Sequence, residues 1–125
     1  MATILVVDDS RIFRNILETT LTEVGHQVVG SVANGQLALD FLNNAHPLPE
    51  LVTLDITMPV MEGIETLRSI ISLFPGVKVI MVSASGQKGK VMDALKIGAL
   101  DFIQKPFKPE EINEVIKKYF PLEES

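Results

Sequence analysis

Cysteine is absent from the 125-residue chain, so disulfides and thiolate metal sites are excluded. Only two histidines are present, His26 and His46, which excludes a histidine-rich metal cluster. No apolar run approaches the length of a membrane span, and the amino terminus lacks the basic and apolar regions of a signal peptide. No Gly-x-Gly-x-x-Gly follows the first apolar run, which argues against a dinucleotide module. Internal repeats, low-complexity tracts and linkers are also missing. Positive charge is in deficit: the net charge is −5, which argues against general nucleic-acid binding and against insertion at an anionic membrane. A cytoplasmic domain is the expectation.

What is present is enough for one core. Hydrophobic residues make up 46% of the chain, typical of a globular domain large enough to bury an interior. Thr3-Ile4-Leu5-Val6-Val7 is a β-branched run that stops at Asp8-Asp9, and Ser10 can cap the helix that follows. Ile12, Phe13, Ile16, Leu17, Leu21 and Val24 recur at helical spacing up to Gly25. A second strand, Val28 to Val32, leads through Asn34-Gly35 to a short helix marked by Leu37, Ala38, Phe41 and Leu42. Leu51-Val52-Thr53-Leu54-Asp55 reads as a strand buried on both faces. A helix from about Glu62 to Phe74 follows, with Ile64, Leu67, Ile70, Ile71 and Phe74 inward. Val77 to Val82 is a fourth strand and Ser83-Ala84-Ser85-Gly86-Gln87 its loop. The next helix, about Lys88 to Ile97, has a thin apolar stripe of Val91 and Leu95, so weak packing is expected. Asp101 to Gln104 is a fifth strand. Pro109, Glu110 and Glu111 suit the start of a last helix, whose buried face is Ile112, Val115, Ile116 and Tyr119.

Five strand–helix alternations with short connections predict an α/β fold: a doubly wound, five-stranded parallel sheet with helices on both faces. Right-handed crossovers place every carboxyl end of a strand on one edge, where open α/β sheets bind ligands. Asp8-Asp9, Asp55, Ser83 and Lys105 then converge. Each alone has an ordinary reading: a helix cap, a turn residue, a loop serine, a surface lysine. Together they point to chemistry. Each pair of carboxylates at about 4 Å costs roughly 4 kcal/mol at an effective dielectric near 20. A hard divalent cation such as Mg²⁺ removes that cost and takes one or two carboxylates plus phosphate oxygens. Asp9 and Asp55 are the expected direct ligands, with Asp8 direct or through water. Lys105 is the fixed cation, expected to pair with a carboxylate at rest, and the following Pro106 suggests a cis bond. Ser83 and Lys105 suit a transferring phosphoryl group, with Asp55 as its nucleophile.

The segments Val6-Val7-Asp8-Asp9-Ser10, Asp55-Ile56-Thr57-Met58-Pro59 with Gly63, Val82-Ser83-Ala84 and Lys105-Pro106-Phe107 resemble the receiver domain of two-component response regulators, over essentially the whole chain. The resemblance implies a flavodoxin-like (βα)5 sheet in the order 2-1-3-4-5, a receiver over residues 1–121 and a short tail over 122–125. It implies a phosphoacceptor rather than an enzyme, one that assists its own phosphorylation and dephosphorylation. Asp55 would accept the phosphoryl group from a histidine kinase. Asp8, Asp9, Asp55 and the backbone carbonyl of Thr57 would hold Mg²⁺, and Ser83 and Lys105 would hold phosphoryl oxygens. Phe102 matches the switch aromatic, although a plain core role is its ordinary reading. Thr57 and Ser85 match positions that tune hydrolysis.

Within the family the motif is similar to stand-alone chemotaxis regulators. That implies a monomer, a chemotaxis-type kinase, a flagellar switch protein as target and a phosphatase. The fourth helix, fifth strand and last helix would be the readout face. The chain ends soon after its last helix, so output by binding is expected, unless this is a fragment of a larger regulator. The alternatives are a phosphorelay intermediate or a scaffold outside chemotaxis. A haloacid-dehalogenase-type Mg²⁺ phosphatase is more remote, because such enzymes carry a second Asp where Thr57 stands. A flavin module is disfavoured because Asp8-Asp9 would repel its phosphate.

Overall fold

The computed structural model describes residues 1–121, so the expected tail over 122–125 lies outside the described residues. Strands and helices alternate as β1 (Thr3–Val7), α1 (Arg11–Glu23), β2 (Gln27–Val32), α2 (Gly35–Asn44), β3 (Leu51–Asp55), α3 (Gly63–Leu73), β4 (Lys78–Ser83), α4 (Lys88–Ile97), β5 (Asp101–Gln104) and α5 (Pro109–Tyr119). The strands form one parallel sheet in the order β2-β1-β3-β4-β5. This is the doubly wound architecture expected from the alternation. No helix among the described residues is long and apolar enough to cross a membrane.

Strand alternation sorts the core into two halves. Ile4, Val6, Leu51, Ile80, Val82 and Ile103 face α1 and α5, where they meet Leu17, Leu21, Ile112 and Ile116. Leu5, Val7, Val52, Leu54, Val79 and Met81 face the other way, against Ala38, Leu42, Leu67, Ile70, Val91 and Ala94 of α2, α3 and α4. All five residues of β3 are buried, because this central strand is covered on both faces. Burying each such Leu, Ile or Val contributes about 1.5–3 kcal/mol. The same alternation positions the polar residues. Asp8 continues the parity of Ile4 and Val6, Asp55 that of Leu51, and Lys105 that of Ile103. All three therefore fall on the α1–α5 side. Ser83 follows Val79 and Met81, and so falls on the α4 side.

Several boundaries differ from the sequence reading for local reasons. Asn34 is the N-cap of α2, its Oδ1 accepting from Leu37 N at 2.9 Å. The buried face differs from the expected one: Leu37 is exposed and Leu39 buried. Ile12 keeps helical spacing but faces solvent in the first turn of α1, 71% exposed. Tyr119 is also not fully buried; its phenol oxygen stays at the surface, 2.9 Å from Asp101 Oδ2 and 3.2 Å from Leu100 O. β4 runs to Ser83 itself, placing that serine in the strand rather than its loop. Ser10 caps α1 as expected, its Oγ accepting from Phe13 N at 3.4 Å. Glu111 Oε1 accepts from Lys108 N at 3.0 Å at the start of α5. Only Val91 and Ala94 of α4 are buried; Leu95, expected in the stripe with Val91, packs half-buried against the core beside them. The Lys105–Pro106 bond is cis, and so is His46–Pro47, which the sequence did not flag.

One glycine is set by close approach. Gly63 opens α3 with its N–H donating to Ile56 O at 2.7 Å. A Cβ there would lie 2.6 Å from Ile56 Cα and closer still to the Asp55 carbonyl oxygen. Both obstacles are backbone, so neither can rotate away. Gly63→Ala is expected to cost about 1–3 kcal/mol by overpacking. Gly76→Ala, with no atom within 4 Å of the added carbon, should change stability by less than about 0.5 kcal/mol. Urea denaturation of the two variants measures the contrast, and equal effects would contradict this packing.

Candidate functional site

The acidic site is built at the ends of β1 and β3. Asp8 follows the last residue of β1, and its side chain is fully buried. Its Oδ1 accepts from Ser10 N at 2.8 Å, and its backbone oxygen accepts from Arg14 Nη1 at 2.6 Å. Asp9 is exposed and Asp55 is buried. One carboxylate oxygen from each of Asp8, Asp9 and Asp55 lies within 4.8 Å of the others. The sequence expectation that these three acids converge is met by the geometry.

Lys105 arrives from beyond β5 as the cation of this cluster. Its Nζ is 2.9 Å from Asp8 Oδ2 and 3.3 Å from Asp55 Oδ2. It also lies 4.4 Å from the centre of the Phe13 ring, and Phe107 packs edge-on against Phe13 at 5.3 Å. This aromatic pair forms an apolar wall that restricts the ammonium. Lys105 N donates to Ser83 O at 2.7 Å, which fixes the root of the lysine to β4. Sequence periodicity identifies Phe13 only as a helix-face residue; its contact with the lysine depends on tertiary packing.

One lysine does not neutralise three acids. Burial, then the Asp8 charge, push the Asp55 carboxyl up to about 7, against the lowering pull of Lys105. Asp8 Oδ2 is buried and has no directed hydrogen bond; the ammonium at 2.9 Å is off its bonding alignment. A hard divalent cation suits this donor set, since it satisfies that oxygen and removes the repulsion. The acids present therefore fit Mg²⁺, with Asp8, Asp9 and Asp55 able to hold it.

Ser83 does not join the lysine's ion pairs. It is buried and lines a cleft of about 220 Å³ on the α4 side, together with Ala84, Gln87, Val91 and Phe102. Phe102 is 40% exposed, so it occupies the outward position rather than the core. Thr57 and Ser85 are exposed on the loops after β3 and β4. Gln87 bridges these loops, its Nε2 donating to Thr57 Oγ1 and its Oε1 accepting from Ala84 N at 2.7 Å. The sequence reading missed Gln87, and also Arg14; a loop glutamine carries no signal until its two partners are known. Val60 has φ +71° and is exposed on the β3–α3 loop. A β-branched residue in the left-handed region is strained, and the sequence does not signal it.

The family model for the response regulator receiver domain matches residues 4–117. The chain is 40% identical over 115 residues to the chemotaxis protein CheY of Thermotoga maritima, covering 92% of this chain and 94% of that one. It is 36% identical over 119 residues to sporulation initiation phosphotransferase F of Bacillus subtilis, covering 95% and 94%. A crystal structure of the CheX–CheY–BeF3–Mg²⁺ complex from Borrelia burgdorferi is similar with a TM-score of 0.89 and 36% identity, covering 94% of this chain and 88% of that one.

The raised Asp55 has a testable consequence for stability. Its ordinary value is 3.8, and the folded value is about 7. Between these the folded protein holds a proton that the unfolded chain releases. This group's contribution therefore falls as pH rises from about 4 to about 7 and stays low above. Without metal, Asp55→Asn should be more stable than the parent at pH 8, by on the order of 1–3 kcal/mol. The difference should shrink toward pH 5 and on adding Mg²⁺. Urea unfolding at the two pH values checks this; a variant less stable than the parent at pH 8 would contradict the assigned repulsion.

Proposed function

The chain belongs to the response regulator receiver domain family, as a CheY-type member, and from that premise we propose that it is a phosphorylation-driven switch whose acceptor is Asp55. The observation that carries the reading is the geometry of Asp55, buried at the end of β3 with oxygens of Asp8 and Asp9 within 4.8 Å and Lys105 Nζ at 3.3 Å. A carboxylate is a nucleophile only when ionised, and Lys105 at 3.3 Å favours that form. In the transfer, Asp55 oxygen bonds to the phosphorus of a donor phosphohistidine as its P–N bond breaks. The imidazole leaves with the bond pair and takes up a proton, and an acyl phosphate remains on the chain. Asp8, Asp9, Asp55 and the Thr57 carbonyl would hold Mg²⁺, which would supply compensation for the charge on the phosphoryl oxygens. Lys105 moves from the carboxylates to a phosphoryl oxygen, and Ser83 donates its hydroxyl to another. Thr57 and Ser85, both small and exposed, leave the attacking water room during hydrolysis.

The signal is a population shift. The added charge favours the arrangement in which Ser83 turns toward the phosphoryl group, and Phe102 moves from its half-exposed position into the adjoining cleft. The α4, β5 and α5 face changes with them and binds the effector. In the chemotaxis reading the donor is a chemotaxis-type histidine kinase, the target is a flagellar switch protein and a phosphatase ends the signal. Likeness to CheY relatives over more than nine-tenths of their length supports this. The likeness to a sporulation phosphotransferase over a similar span supports the second reading, a phosphorelay intermediate. In either role the protein works in the cytoplasm as a monomer at rest, with residues 1–121 forming the receiver.

Incubation with acetyl phosphate and Mg²⁺ should give one labile phosphoryl group per chain, lost in Asp55→Asn and without metal. Stable labelling at another residue, or no labelling with metal bound, would sink the mechanism. Capture on the protein loaded with beryllium trifluoride then separates the two roles. Chemotaxis requires enrichment of a flagellar motor component in the loaded state. Enrichment of a histidine phosphotransfer domain instead would favour the relay.

A further inference from the structure

Gln87 occupies the residue before α4, and its backbone oxygen accepts from Val91 N at 3.0 Å, yet its side chain makes no capping bond to that helix. Its carboxamide is instead committed across two loops. Oε1 accepts from Ala84 N at 2.7 Å, at the residue after Ser83, and Nε2 donates to Thr57 Oγ1, two residues after Asp55. One side chain thus ties the end of β4 to the loop that carries the acceptor. The chain turns between Ala84 and Gln87 at Gly86, with φ +85°. The helix that follows buries only Val91 and Ala94 fully, with Leu95 and Ile97 packed half-buried against the core, so the tie matters more here than it would beside a deeply packed helix.

We propose that Gln87 is a positioning residue that latches the loop after β4 against the Asp55 loop in the unphosphorylated state, and that this latch opens on phosphorylation. The inference rests on the reading of Asp55 as phosphoacceptor and goes beyond it by naming what restrains the resting loop. The physical basis is competition for a donor. Ile56 N donates to Val82 O at 3.0 Å, so the two strand ends are held side by side and Ala84 N lies just beyond the pair. A phosphoryl group on Asp55 brings charged acceptor oxygens to this edge, and hydrogen bonds to charged acceptors are about twice as strong as those to a neutral amide oxygen. The Ala84 N–H is therefore released from Gln87 when such an acceptor is present. Thr57 loses its donor at the same moment, and the amino end of α4 is freed. Two partly exposed hydrogen bonds have a modest net value, so the latch biases the equilibrium by about threefold to tenfold rather than locking it.

The test pairs Gln87→Met, which keeps the side-chain length without the amide, with Gln87→Ala. Three quantities are read on the full chain: the ¹⁵N–¹H resonance of Ala84 without metal, Mg²⁺ affinity, and the apparent affinity for beryllium trifluoride at saturating Mg²⁺. The latch predicts an upfield shift of the Ala84 amide proton in both variants. It predicts beryllium trifluoride binding about threefold to tenfold tighter, with Mg²⁺ affinity within about twofold of the parent. A merely structural role would lower both affinities. In the Thr57→Val background the gain from Gln87→Met should shrink, because half of the bridge is already gone. An unmoved Ala84 resonance, or unchanged beryllium trifluoride affinity in both variants, overturns the latch while leaving the phosphoacceptor reading standing. If the parent protein itself binds no beryllium trifluoride, the phosphoacceptor reading fails and the latch falls with it.

Discussion

Three carboxylates and one ammonium share the carboxyl edge of the sheet, and this imbalance of charge is the constraint on which the site depends. Asp8, Asp9 and Asp55 place oxygens within 4.8 Å of one another. Lys105 touches two of the three acids, Asp8 and Asp55. The remaining repulsion appears as the raised affinity of Asp55 for a proton. A structure optimised for stability alone would not keep an unmatched acid in a buried position. The cost is carried by the two apolar halves of the core, whose burial is independent of the site.

That separation explains the division of the chain into parts that are visible from sequence and parts that are not. The period-two strands and period-3.6 helices are dictated by apolar burial, so their order and the position of the ligand edge are legible. The parity argument extends this to the site: once β1, β3 and β5 are placed, Asp8, Asp55 and Lys105 must fall on one side. The same parity puts Ser83, in step with Val79 and Met81, on the opposite side. Phe102 sits on a short edge strand, where β5 alternates intermediate, exposed and buried residues, and sequence cannot choose between its inward and outward positions.

What stayed hidden depends on pairs of residues far apart in the chain. Phe13 reads as a core residue of α1, and only packing against Phe107 turns it into a wall for Lys105. Gln87 reads as an ordinary loop residue, thirty positions from Thr57. Val60 gives no warning, since a β-branched side chain predicts extended backbone and not φ +71°. Leu37 and Ile12 fail in the opposite sense. Their spacing is right, yet both sit in the first turn of a helix on its solvent side.

The two faces of the sheet also limit how a charge on Asp55 can be felt elsewhere. Asp55 and Lys105 belong to the α1–α5 side, whereas Ser83, Phe102 and their cleft belong to the α4 side. The close-packed interior between them leaves no path for a side chain through the sheet. The strand ends are where the faces meet, and there the backbone of β4 passes beside Asp55 and leads into the loop of Ser83, Ala84 and Gln87. A signal from the acidic side to the α4 side must therefore travel around the edge, through that loop. In the proposed switch this accounts for the weak packing of α4. A helix buried as deeply as α3 would resist movement of its leading loop, whereas one held by two buried side chains can follow it.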